Sequence, residues 1–87
     1  MGGFLVMFTV YVLYSESKKK IYIGFTSDLE GRLLSHNELG NGWTKRYRPW
    51  TLVHSELFEK RIDARRREMQ LKSAAGRAWI RQLIRGN

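Results

Sequence analysis

Apolar residues crowd the first quarter of the chain and then settle into helical spacing. Thr9-Val10-Tyr11-Val12-Leu13-Tyr14 is β-branched and aromatic without a polar break, the character of a buried strand. Ser15-Glu16-Ser17-Lys18-Lys19 is short and polar, and Lys20-Ile21-Tyr22-Ile23-Gly24 resumes the strand pattern. Residues 9–24 therefore predict a hairpin, with residues 1–8 as a lead-in and Met7 as an alternative start. Thr26, Ser27 and Asp28 are three successive N-cap candidates, and Leu29, Leu33 and Leu34 follow at helical spacing. This predicts a helix to about Glu38, stopped by Gly40-Asn41-Gly42. Residues 43–50 are basic and aromatic, held by Pro49, and read as a loop. Residues 51–58 predict a third strand.

Residues 60–72 are rich in charge, with apolar positions Ile62, Met69 and Leu71, and fit an exposed helix. Ser73-Ala74-Ala75-Gly76 predicts a break. Ala78, Trp79, Ile80, Leu83 and Ile84 then form the apolar side of a last helix. The order is β-β-α-β-α-α in a single domain over residues 1–87, with its core at about 8–84. The fold class is α/β of the α+β type: a small three-stranded antiparallel sheet flanked by helices, since three strands cannot hide both faces by themselves. Eighty-seven residues leave no room for a second independent core.

Charge changes this picture. Sixteen Lys and Arg against eight Asp and Glu give +8 on 10.3 kDa and a pI near 10.3. That balance points to a polyanion such as nucleic acid. A net charge of ~2–8 is also ordinary for a soluble small domain, so charge alone leaves a merely soluble surface open, and a basic membrane patch as well. The absence of cysteine excludes disulfides and thiolate metal sites and fits a reducing cytoplasm. The apolar run 4–14 has no basic residue before it, is interrupted by Thr9 and falls short of the about 20 residues of a membrane span. Val6 stands where a myristoylation signal starting at Gly2 wants Ser or Thr. Neither a signal peptide nor a membrane anchor is expected.

Candidate chemistry is spread along the chain. In a hairpin joined by an even-numbered loop, Tyr11 and Tyr22 project from the same face. Gly24 leaves that face open where a side chain would otherwise stand. Arg32 and His36 form an i, i+4 pair on one helix face. Arg presents a planar fork of donors to phosphate oxygens, and His exchanges a proton near neutral pH. Glu68 is the carboxylate within Arg65-Arg66-Arg67-Glu68-Met69-Gln70-Leu71-Lys72, and a lone carboxylate among cations suits a Mg²⁺ that keeps most of its waters.

These residues resemble the GIY-YIG nuclease domain, named for two strand triplets that stand here as Thr9-Val10-Tyr11 and Tyr22-Ile23-Gly24. The resemblance covers roughly residues 8–84. It is closest to the small stand-alone bacterial members and to structure-specific nucleases acting on branched DNA. Those share the runs His36-Asn37, Arg48-Pro49-Trp50, Leu52-Val53, Arg67-Glu68 and Leu71-Lys72. The resemblance implies a divalent-metal-dependent endonuclease, using Mg²⁺ or Mn²⁺, that hydrolyses phosphodiester bonds in DNA, with structure-specific work in repair or recombination. Glu68 would hold the metal, and Tyr22 or Tyr11 would orient or deprotonate the attacking water. Arg32 would neutralise the scissile phosphate, and His36 would assist proton transfer or contact phosphate. A tyrosine ionises near pH 10, so a base role requires a lowered pKa. The five residues are expected to converge on one concave surface.

The sequence also departs from the family pattern. The first triplet lacks glycine and isoleucine, Phe25 stands where some relatives have lysine, and Asn87, the last residue, is the only asparagine near the domain's end. Lys45, Arg46, Arg48, Arg65, Arg66 and Lys72 are the candidate nucleic-acid contacts, with the Arg65–Arg67 cluster on the same face. Trp43, Tyr47 and Trp50 interleave with the first three as a stacking surface, although Trp50 serves equally as a core plug. His54 reads as structural, and Glu68 has an ordinary role open to it in pairing with Arg65 or Lys72. The rival readings are a catalytically weak or inactive basic nucleic-acid-binding module and an RNA-binding or ribosome-associated protein. Specificity would come from a protein partner or from DNA structure.

Overall fold

The structure, a computed structural model, describes residues 6–39 and 42–86. The first residues of the lead-in, Gly40-Asn41 of the helix stop, and Asn87 lie outside the described residues. The elements are β1 (Phe8–Ser15), β2 (Lys20–Thr26), α1 (Leu29–Leu34), a π turn (Ser35–Leu39), a 3₁₀ turn (Trp43–Tyr47), β3 (Thr51–Phe58), α2 (Arg61–Lys72) and α3 (Ala74–Arg85). The strands form one antiparallel sheet in the order β2-β1-β3. The expected β-β-α-β-α-α order and fold class are those observed.

Register decides which side chains share a face. Tyr11 pairs with Gly24 and Leu13 with Tyr22, so Tyr11, Leu13 and Tyr22 point the same way. Val10, Val12 and Ile23 point the other way. Between β1 and β3 the register slips by one residue: Val12 pairs with His54 but Leu13 with Leu52, making Val53 the extra residue of a bulge.

Each face has its own core. Val10, Val12 and Ile23 pack with Ala64 and Leu71 of α2 and Ile80 of α3. Tyr11, Leu13 and Trp50 form the second cluster, flanked by Tyr22, Leu29, Leu33 and Tyr47. The sheet is thus covered by α2 and α3 on one side and by α1 with the two turns on the other. Val10, Val12 and Ile80 are completely buried, a stabilisation of about 1.5–3 kcal/mol for each such side chain.

Four expectations need correction. The first helix ends at Leu34, and its next turn widens to a π turn. Of the three N-cap candidates Asp28 serves, its carboxylate accepting from Gly31 N–H at 3.1 Å. Residues 43–47 form a 3₁₀ turn rather than plain loop. The helix over 61–72 is only half exposed, and its buried stripe is Ala64, Glu68 and Leu71, leaving Ile62 and Met69 in solvent. That stripe has i, i+4, i+7 spacing, with a carboxylate at its centre. The fourth correction concerns the break before α3, which is Ser73 alone. Its hydroxyl donates to the Gln70 carbonyl at 2.6 Å and accepts from Gly76 N–H at 3.2 Å, ending α2 and starting α3. Position 76, inside α3, takes glycine because a Cβ there would run into the Gln70 carbonyl oxygen. Among the described residues no helix is long and apolar enough to cross a membrane.

Candidate active site

Tyr11 and Tyr22 stack with ring centroids 6.1 Å apart and planes 22° from parallel. This offset stacking follows from the register, which leaves them diagonal neighbours on one face. Gly24 explains how the rings fit. A Cβ at Gly24 would lie 2.7 Å from the Tyr11 hydroxyl, so the phenol occupies the space that glycine vacates and crosses β2 towards the sheet's edge.

His36 caps the pair from the π turn. Its ring lies 4.5 Å from that of Tyr22, and Nε2 is 3.5 Å from the Tyr11 hydroxyl. Two clamps hold His36 there. Asn37 Oδ1 accepts from Trp50 N–H at 2.6 Å, and its amide donates to the Trp50 carbonyl at 3.1 Å. Arg48 donates through Nε to the His36 carbonyl and through Nη2 to that of Ser35 at 3.2 Å. These bonds satisfy carbonyls that the widened turn leaves open. Trp50 is buried, its indole N–H donating to the Thr44 carbonyl at 2.9 Å. Of the two roles open to Trp50, core plug is the observed one.

The electrostatics separate the roles of these groups. Burial first, then the neighbouring Tyr22, holds the Tyr11 phenol far above the usual tyrosine range; the charge of Arg32 opposes this and loses. Tyr11 is therefore a hydrogen-bond donor at neutral pH. His36 is pushed below its ordinary value, by burial first and then by the charges of Arg32 and Arg48. A neutral imidazole protonated at Nδ1 leaves Nε2 free to accept from Tyr11.

Arg32 stands on the rim, exposed, in a small cavity with Thr26, Asp28, Gly31 and Ser35. Among the described residues no carboxylate pairs with it. Glu68 arrives from the other layer. Its helix, α2, packs on the Val10 face of the sheet, opposite Tyr11. Glu68 nonetheless contributes to the potential at the Tyr11 hydroxyl. Both Glu68 oxygens are engaged: Oε1 with Arg65 Nη1 at 2.8 Å and Oε2 with Lys72 Nζ at 3.1 Å.

The candidate nucleic-acid contacts divide into groups. Lys45 and Arg46 are exposed beside Trp43, with which they line a cavity. Trp43 is 54% exposed, and its ring lies 5.8 Å from that of Tyr22. Arg65 and Lys72 surround Glu68. Arg48 is half-buried on the π-turn carbonyls. The Arg65–Arg67 cluster does not form one face, because successive helical residues turn by about 100°. Arg66 is exposed, 3.7 Å from Asp63, and Arg67 pairs with Glu56 at 3.0 Å next to β3. Glu56 also meets His54 Nε2 at 2.6 Å, and the His54 ring packs on Trp79. His54 thus joins β3 to the helical layer.

Asn37, Gly24 and the clamping role of Arg48 carry the site's geometry. Asn37 meets a partner 13 residues away, which no local pattern discloses; its place beside His36 was the one available signal.

Comparison with known proteins follows the same outline. A family model described as the GIY-YIG catalytic domain matches residues 7–81. A UPF0213 protein of Syntrophus aciditrophicus is 40% identical over 80 residues, covering 90% of this chain and 90% of the relative. One from Staphylococcus haemolyticus is 35% identical over 65 residues, 74% of this chain and 78% of the relative. A third, from Halobacterium salinarum, is 38% identical over 68 residues, with 76% and 86% covered.

Proposed function

The chain belongs to the GIY-YIG catalytic-domain family, and on that premise we propose that it is an endonuclease that hydrolyses phosphodiester bonds in DNA with Mg²⁺ or Mn²⁺. The observation that carries this reading is the buried Tyr11–His36 pair against Tyr22, with Arg32 on its rim and the charge of Glu68 acting on it.

Glu68 is the donor that suits the cation. It is buried on α2, and its charge already balances two cationic side chains. Among the described residues no group of three or more His, Cys, Asp or Glu gathers as a ligand cage. Mg²⁺ is commonly held by one or two carboxylates with water and substrate phosphate completing its shell, so a lone carboxylate beside phosphate-binding cations fits it. When bound, the cation would neutralise charge on the phosphate oxygens.

The remaining work falls to the side chains. Arg32, exposed and without a carboxylate partner among the described residues, would bind the scissile phosphate through its planar fork. Neutral His36 accepts the proton that the attacking water loses, directly or through the Tyr11 hydroxyl to which Nε2 is adjacent. Burial keeps Tyr11 protonated in the free protein, so its hydroxyl serves as a relay that takes the water's proton as it passes its own to Nε2. Tyr22, stacked on Tyr11 and edge-on to His36, positions both rings.

A second reading has its own support. Both Glu68 oxygens are bonded to cations and Tyr11 is held protonated, a resting arrangement equally suited to a nucleic-acid-binding module that turns over negligibly. A panel of duplex, flap, branched-junction and single-stranded DNA and of RNA, with Mg²⁺ or Mn²⁺ and with chelator, decides between them. Metal-dependent cutting of at least one DNA supports the endonuclease. Binding across the panel without cutting supports the module.

A further inference from the structure

The β1–β2 turn carries three successive lysines, Lys18, Lys19 and Lys20, all exposed. Lys19 has a left-handed backbone, φ 56°, and the neighbouring lysines serve opposite faces. Lys20 Nζ lies 5.9 Å from the Tyr47 ring, on the Tyr22 side. Lys19 lines a cavity on the other side together with Tyr14, Ile21, Arg81, Ile84 and Arg85. Ile21 and Ile84 pack on the Val10 core, so this cavity belongs to the α2–α3 face, away from the tyrosine pair.

Arg81 and Arg85 stand one turn apart on α3, exposed, on a helix without an acidic residue. Among the described residues none of Lys18, Lys19, Lys20, Arg81 and Arg85 is in an ion pair, and the one carboxylate of the turn, Glu16, pairs with none of them. On α2, by contrast, Arg65, Arg66, Arg67 and Lys72 each have a carboxylate, and Arg61 lies over the Phe25 ring. Unmatched like charges around one concavity repel, and an anion there removes that cost.

We propose that Lys19, Arg81 and Arg85 form a second phosphate-backbone site, holding a nucleic-acid strand that leaves the tyrosine face around the lysine turn. The chemistry favours a phosphodiester chain. Arginine forks bind phosphate oxygens in pairs. The two residues stand about 6 Å apart along the helix axis, on the same side of α3. Lys20 and Lys19 bridge the sheet end between the faces. The site rests on the reading that the chain binds nucleic acid.

The test is the triple variant Lys19→Gln, Arg81→Gln, Arg85→Gln, all at exposed positions, beside a Lys45→Gln, Arg46→Gln variant. Binding of fluorescent DNA is measured against salt in chelator, using a long oligonucleotide and a short one. The triple variant is expected to reduce the slope of log K against log salt by about 2–3 on the long DNA, at about 0.9 per phosphate contact. Binding of the short DNA stays unchanged. Equal slopes for the triple variant and wild type on long DNA overturn the second site alone, since the Lys45/Arg46 variant still reports binding at the other face. No binding by wild type at any salt overturns the nucleic-acid reading itself. Capture by anionic phosphatidylserine vesicles that the triple variant loses, with its DNA slope unchanged, assigns the patch to membrane and overturns the proposal.

Discussion

Lys72 Nζ lies 3.1 Å from Oε2 of Glu68, on the carboxylate that would hold a divalent cation. Arg65 occupies the other oxygen. A cation and these side chains compete for one buried charge, and a phosphate that draws them away favours the cation. On the proposed reading metal and DNA binding would be coupled, and by linkage the coupling would be reciprocal. Lys72→Gln should raise Mn²⁺ affinity of the DNA-free protein by on the order of two- to fivefold, the scale of one partly exposed ion pair. Uncleaved DNA should raise the affinity of wild type more than that of the variant. Titration calorimetry or Mn²⁺ paramagnetic resonance reads both.

A second prediction concerns pH. His36 is depressed below its ordinary value of 6.5, so the unfolded chain takes up a proton more readily than the folded one. Nothing is lost above the unfolded value. As pH falls below 6.5 towards the folded value, stability declines, and the neutral imidazole needed as acceptor disappears only near that lower value. Denaturant midpoints should therefore drop on acidification while cutting persists below pH 6.5. His36→Asn should flatten the His36 share of the stability curve and abolish the acidic limb of the rate profile.

What was legible in the sequence depended on how far apart the interacting residues stand. The strands and helices came from periodicity within a few positions, and Tyr11 and Tyr22 share a face by the parity of a hairpin. The π turn at residues 35–39 was not legible, because its carbonyls are satisfied by Arg48 and its position fixed by Asn37, across 12 or 13 residues. Glu68 read as a lone carboxylate among cations on an exposed helix. Its burial appears only once Ala64 and Leu71 dock on the sheet and carry it inward. The roles of Tyr11 and His36 turned on burial, which the order of residues does not disclose.

Asn37 should matter as much as the residues it serves. Asn37→Ala leaves the Trp50 N–H and carbonyl without their partner, at about 1–3 kcal/mol for a buried group left unsatisfied. A melting point lower by roughly 4–8 °C per kcal/mol is expected for a domain of this size. His36 ring resonances should shift as the π turn loosens, whereas an exposed control such as Glu59→Ala should move neither.

Gly24 makes a separate prediction. In Gly24→Ala the new methyl stands where the Tyr11 hydroxyl lies, and the phenol must move away from the β2 edge. The overpacking should cost about 1–3 kcal/mol. Far-ultraviolet circular dichroism should remain that of the wild type while cutting falls sharply. DNA binding, carried by exposed cations elsewhere, should be little changed.

The most direct measurement is cleavage and binding by Glu68→Gln on the best substrate of the panel. The substitution keeps the side chain's shape and a hydrogen-bonding oxygen but removes the charge that a hard cation requires. Arg65 and Lys72 are also released for phosphate. Single-turnover cleavage with saturating Mg²⁺ should fall by at least about a hundredfold, the scale of losing one group that stabilises transition-state charge. DNA affinity in chelator should hold or rise. Cleavage at the wild-type rate would contradict the assignment of Glu68 as the metal ligand.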